Sequence, residues 1–118
     1  MNFRFPKTEK LKSRKSIDTL FSEGKSITKF PLKVIYLSDG NMEITKTGFS
    51  VPKKNFKKAV DRNRLKRQMR EAYRINKHLL KSNNGSQFAL MFLYLNKEKA
   101  SYESINDAMY ALLKKLPS

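Results

Sequence analysis

FALMFLYL, residues Phe88–Leu95, is apolar at every position. A half-exposed strand alternates apolar with polar residues. A run without that alternation reads as a strand covered on both faces, at the centre of a sheet. It is far shorter than the roughly 20 apolar residues that span a bilayer as a helix. A linker, Ser82-Asn83-Asn84-Gly85-Ser86, precedes it. Beyond it, Ser101 opens a last helix with Tyr102, Ile105, Met109, Leu112, Leu113 and Leu116 on one stripe, ended by Pro117.

Towards the N-terminus, Phe30, Leu32, Val34 and Tyr36 alternate with Pro31, Lys33, Ile35 and Leu37. This predicts a strand with one wholly apolar face. Pro31 lacks an N–H, which implies an edge or strand-end position. Ser38-Asp39-Gly40-Asn41 reads as a turn. A second strand over 44–51 is expected to pair with the first as a hairpin, and Pro52 stops it. Further upstream, Ser13 is expected to cap a short helix with Ile17, Leu20 and Phe21 inward and Gly24 as its stop. Residues 1–12 place Arg4, Lys7, Lys10 and Lys12 around Phe3, Phe5 and Pro6, and read as a basic extended arm. The order is helix, strand, strand, helix, strand, helix. It predicts a single α+β domain, an α/β sandwich with helices covering a small mixed sheet.

Charge dominates the middle of the chain. Ten residues from Lys53 to Arg74 are Lys or Arg, and only Asp61 and Glu71 oppose them, a local balance of 10 − 2 = +8 within a formal +16. Such crowding repels itself and weakens the compact state. It is expected where a polyanion lies against it, because neutralising phosphates releases condensed counterions. Anionic lipid and heparin-like polymers share that sign.

At about 100° per residue, Leu65, Met69, Ala72, Ile75, Leu79 and Leu80 are expected on one side of a helix. Asn63, Lys66, Arg67, Arg70 and Arg74 fall opposite, with Arg62 and Arg64 at the edges of that arc. Phe56, Ala59 and Val60 do not fit this pattern, so the helix is expected to start near 56–61 with those three packed differently. A solvated face mixes signs at i,i+4. Here Arg62, Lys66, Arg70 and Arg74 repeat one sign. Between Arg62 and Arg74, arginine outnumbers lysine five to one. Its planar fork suits phosphate and base contacts.

These residues resemble the protein component of bacterial ribonuclease P. The resemblance rests on Gly48-Phe49-Ser50-Val51 with Lys53-Lys54, then Ala59-Val60, Arg62-Asn63-Arg64-Leu65-Lys66-Arg67 and Arg70-Glu71-Ala72. Leu11-Lys12 and Leu20-Phe21 with Gly24-Lys25-Ser26 extend it over most of the chain. It implies a fold like the second domain of ribosomal protein S5, with a left-handed βαβ crossover against the usual rule. It implies a subunit that binds a catalytic RNA and helps remove the 5′ leader of precursor tRNA, with Mg²⁺ held by the RNA. Arg62, Asn63, Arg64, Lys66, Arg67, Arg70 and Arg74 would face the catalytic RNA. Phe21, Ile17, Tyr36, Ser50, Lys53 and Lys54 would line a cleft for the single-stranded leader, where rings stack on bases and lysines neutralise the backbone. Ile17 stands where the family commonly has an aromatic. Lys57-Lys58 replaces a usual Gly-Asn pair.

No catalytic machinery of the chain's own is expected. There is no cysteine, and His78 is the one histidine. The ten acidic residues are scattered without a metal-ligand motif. A cytoplasmic, monomeric protein, one per RNA and without a membrane, is the expectation. The competing readings are a structural, ribosomal-type RNA binder without a processing role, an independent nuclease, and a reader of double-stranded DNA.

Overall fold

The computed structural model describes residues 14–38, 45–82 and 88–116, with side chains over 17–37, 45–80 and 88–116. The elements are α1 (Arg14–Glu23), β1 (Lys25–Lys29), β2 (Leu32–Ser38), β3 (Lys46–Ser50), α2 (Ala59–Asn76), a short 3₁₀ segment (Lys77–Ser82), β4 (Phe88–Tyr94) and α3 (Tyr102–Lys115). The sheet order is β1-β2-β4-β3. β4 is a central strand, as its unbroken apolar run requires. It pairs antiparallel with β2 and parallel with β3, in register Val34↔Phe92 and Phe49↔Phe92. The mixed α+β sandwich expected from the sequence is present.

The expected hairpin is not. β4 lies between β2 and β3, so the two strands assigned to it never pair. The partner of β2 is β1, in register Ile27↔Val34. Lys25-Ser26-Ile27-Thr28-Lys29 has a single apolar residue and so gives no period-two signal. It is a lysine-flanked edge strand, a composition that resists unwanted pairing. Phe30 and Pro31, joined by a cis peptide, make the turn between β1 and β2. Phe30 is therefore exposed and is not the first core position of the strand. Pro31 sits at the strand end, and its carbonyl accepts from Leu95 N at 2.8 Å. The Ser13 cap, the 1–12 arm, the turn at 39–41, the linker at 83–86 and Pro117 lie outside the described residues.

Alternation along the strands builds two unequal layers. On one face Leu32, Val34, Phe88, Leu90, Phe92 and Tyr94 pack against Leu65, Met69, Ala72 and Tyr73 of α2 and Ile105, Ala108, Met109, Leu112 and Leu113 of α3. Phe49 stacks on Phe92 at 5.7 Å and meets Tyr73 edge-on at 5.9 Å. Each large side chain fully buried here stabilises by roughly 1.5–3 kcal/mol. The other face is thin. Leu20 of α1 is fully buried against Ile35, Ala89 and Met91, with Ile17, Leu37 and Leu93 at the margin. Gly24 turns α1 directly into β1. Its N–H donates to Leu20 O at 2.8 Å. A Cβ there would lie 2.4 Å from that same oxygen and 2.9 Å from Ile35 Cγ2.

The last helix follows its sequence. Ser101 Oγ accepts from Ser104 N at 3.2 Å and caps α3. The inward side of α2 departs from expectation at its C-terminal half. Ile75 is 39% exposed, whereas Tyr73 and Asn76 are buried. Asn76 Nδ2 donates to Ala72 O at 2.9 Å and to Asn106 Oδ1 at 2.8 Å, which satisfies a polar group buried between α2 and α3. At the N-terminal end only Phe56 packs away from the helix, into the core. Ala59 and Val60 begin α2 and stay exposed.

Candidate nucleic-acid interface

α2 starts at Ala59, with Lys58 as an extended N-cap that gives no side-chain cap bond. Its first turn is held instead by two flanking contacts. Arg62 Nη1 donates to Phe56 O at 2.7 Å and to Lys57 O at 2.9 Å. Asp61 Oδ1 pairs with Lys99 Nζ at 2.9 Å, tying the helix to the segment before α3. That hydrogen bond holds the Asp61 carboxyl below the usual carboxylate range. An acidic group here also suits the positive end of the helix dipole.

Arg62 therefore does not belong with the outward cations. It stands at i−7 from Met69 and i−11 from Tyr73, both inward, and its guanidinium folds back on loop carbonyls. Arg74 is also engaged. Its Nε donates to Glu71 Oε2 at 3.0 Å, and Nη2 meets Oε1 of the same carboxylate. That bond pushes Glu71 down and Arg74 up from their ordinary values. The expected row of four uncompensated charges is thus corrected at both ends. Both ends supply partners that a helical wheel does not show: loop carbonyls before the helix, and a carboxylate three residues back.

Between those ends lie Asn63, Arg64, Arg67 and Arg70, all exposed, with Lys66 partly so. None of the four cations, Arg64, Lys66, Arg67 and Arg70, has a hydrogen-bond or ion-pair partner among the described residues. A single-sign cluster without partners on a rigid helix is an electrostatic site for a polyanion.

The second group of expected residues divides between the two faces of the sheet. Ile17 and Phe21 lie on α1, over β2 and β4. Phe21 is 50% exposed, so its ring is free to meet a ligand. Ser50 reaches the same face, because its partner Leu93 belongs to the α1 layer. Gly48, opposite Met91, leaves the floor beside α1 low. Lys53 and Lys54 are exposed in the turn after β3, where Asn55 N and Phe56 N donate to Pro52 O.

Tyr36 is the exception. It packs against the α2–α3 layer, its ring edge-on to Phe88 at 6.4 Å. It cannot line a cleft with Phe21, because one residue's step along a strand reverses the face. Ile35 and Leu37 hold the α1 side of β2. The alternation already pairs Tyr36 with Leu32 and Val34, so the signal was in the sequence.

His78 is exposed, its Nδ1 3.0 Å from Ile75 O. Among the described residues no three His, Asp or Glu side chains group as a metal site, and no helix is long and apolar enough to cross a membrane.

The chain matches the family model described as Ribonuclease P over residues 5–117. The ribonuclease P protein component of Porphyromonas gingivalis W83 is 38% identical over 112 residues, 91% of this chain and 82% of that protein. That of Alkaliphilus metalliredigens is 31% identical over 107 residues, covering 91% and 92%. The solved structure of the RNase P protein from Thermotoga maritima superposes with a TM-score of 0.77 at 28% identity, covering 93% of this chain and 99% of that one. The Staphylococcus aureus RNase P protein shares the fold, with a TM-score of 0.75 at 20% identity. The match over nearly the whole length, with the Gly48–Arg70 motif in place, shows that the chain belongs to the ribonuclease P protein family.

Proposed function

We propose that this protein is the ribonuclease P subunit that seats the catalytic RNA on α2 and guides the precursor-tRNA 5′ leader across the α1 face, promoting endonucleolytic release of the leader. One observation carries the reading. Arg64, Lys66, Arg67 and Arg70 share one helix face and lack partners within the protein. Exposed cations left unpaired in this way supply binding energy through counterion release. The leader lies beside Ile17, Phe21 and Ser50, with Lys53 and Lys54 at the end of β3. Phe21 offers the stacking surface, and Ile17 packs without stacking.

The chemistry belongs to the RNA and its Mg²⁺ in this reading, as membership of the ribonuclease P protein family implies. The protein's part is to lower repulsion between two RNAs and so reduce the Mg²⁺ required. It acts in the cytoplasm as a monomer, one per RNA.

The test is precursor-tRNA cleavage at low Mg²⁺, with the catalytic RNA of the same organism, with and without the protein, and with protein alone. Cleavage only when both are present supports the proposal. Cleavage by protein alone moves the chemistry to the chain. Tight RNA binding without stimulation leaves a structural RNA binder.

A further inference from the structure

One cavity borders α2 without being part of its outward face. It measures roughly 430 Å³ and lies between α2 and the start of α3, lined by Arg64, Leu65, Gln68, Lys99, Ala100, Ser101 and Tyr102. Its walls differ in character. Leu65, Ala100 and the Tyr102 ring are apolar. Arg64 and Gln68 are polar and have no partner among the described residues. Lys99 is fixed at the rim by Asp61. The Ser101 hydroxyl is already occupied by Ser104 and contributes shape only.

An apolar slot with a few unspent polar groups is the usual build of a small-ligand site, and the volume falls in the range of such sites. The surroundings select the ligand. Arg64 belongs both to this cavity and to the free cations of α2, so a polyanion seated on α2 passes its mouth. An unpaired nucleotide presents the matching set: a planar apolar face, hydrogen-bonding edges and an anionic backbone.

We propose that this cavity receives one unpaired nucleotide turned out of the RNA bound along α2. The base lies against Leu65, Ala100 and Tyr102, the Gln68 amide bonds its edge, and Arg64 meets the phosphate. The inference rests on the reading of α2 as the RNA surface and adds recognition of a single base to it. A duplex does not fit the slot, so the contact picks out a looped or bulged nucleotide.

The experiment uses the full chain and the catalytic RNA of the same organism. It measures affinity against salt and probes each base chemically. Gln68→Ala removes the edge contact without changing charge, and Ala100→Leu narrows the slot. Thermal melts confirm that both variants fold. The expected result is a loss of affinity of roughly three- to tenfold for Gln68→Ala with an unaltered salt slope. One unpaired base, protected by the native protein, becomes reactive with either variant. Arg67→Ala and Arg70→Ala serve as controls that flatten the salt slope. Normal affinity and intact protection in folded Gln68→Ala and Ala100→Leu, beside weakened controls, would overturn the cavity assignment and leave the α2 surface standing. Normal binding by the controls as well would remove the α2 surface, and this inference with it.

Discussion

Arg62 and Arg67 carry the same charge five residues apart, yet the fold gives them different tasks. Arg62 spends its guanidinium on the Phe56 and Lys57 carbonyls, whereas Arg67 is exposed and unpartnered. Arg62→Ala is expected to cost about 1–2 kcal/mol of stability in a chemical denaturation, from lost bonds to a charged donor. Arg67→Ala should leave stability within about 0.5 kcal/mol and lower the salt slope of RNA binding by about one. Equal effects of the two on RNA affinity alone would contradict this division. The aromatics divide likewise. Phe21→Ala should reduce discrimination between leader-bearing precursor and mature tRNA in a folded protein. Tyr36→Ala should lower stability by about 3 kcal/mol, through lost packing against Phe88. Competition binding with both RNAs, beside a melt of each variant, separates the two.

The connection from β4 to α3 is short and firmly bonded. Tyr94 Oη donates to Glu98 O at 2.6 Å and accepts from Ala100 N at 2.7 Å. Burial pushes its hydroxyl above the ordinary tyrosine value, which keeps the donor protonated. Tyr94→Phe leaves two backbone groups without that partner and should cost about 1–3 kcal/mol, read from denaturant midpoints. Because the folded value is raised, this contribution is complete below the ordinary tyrosine value of about 10 and fades as pH rises through the folded one. The carboxylates act at the other limit. Asp61 and Glu71 are depressed by Lys99 and Arg74, so their stabilisation is present above about pH 4 and is lost as pH falls through their folded values. Asp61→Asn should therefore lower the melting temperature above about pH 4, change little at the acid end where the carboxyl is already protonated, and so make the acid limb of the melting curve shallower. An acid limb unchanged by the substitution would show the Asp61–Lys99 contact to be inert.

Across the molecule, charge and packing are segregated. The thick hydrophobic layer lies between the sheet and α2 with α3, while α1 is attached chiefly through Leu20. The chain has a formal charge of +16, and among the described residues every charged side chain lies outside the buried core, with α2 presenting a partnerless cluster. Self-repulsion on this scale is relieved when a polyanion binds. RNA affinity should fall steeply with salt, with a slope equivalent to at least four phosphates, one for each free cation of α2. A slope of one or two, measured from 50 to 200 mM salt, would contradict an extensive interface.

Much of this was legible from the chain alone. The eight-residue apolar run had to be a central strand, because no face of it tolerates water. The stripe from Tyr102 to Leu116 had to be a helix against a core, and the cationic arc of α2 had to face outward. These are local rules in which each residue's chemistry is decided by near neighbours in sequence. What escaped were relations between distant segments. β1 carries too few apolar residues to announce itself, and only pairing with Val34 brings Ile27, half-buried, against the core. Whether β3 joins β2 or β4 is settled by where α2 carries the chain, a long-range matter that two adjacent strand signals cannot decide. The same holds for single side chains. Arg62 reads as one more cation until the Phe56 carbonyl is brought beneath it, and Tyr36 reads as a cleft residue until the sheet fixes its face. Sequence set which groups were available for binding. Tertiary structure decided which were already spent inside the protein, because a partner's proximity depends on the whole chain's path.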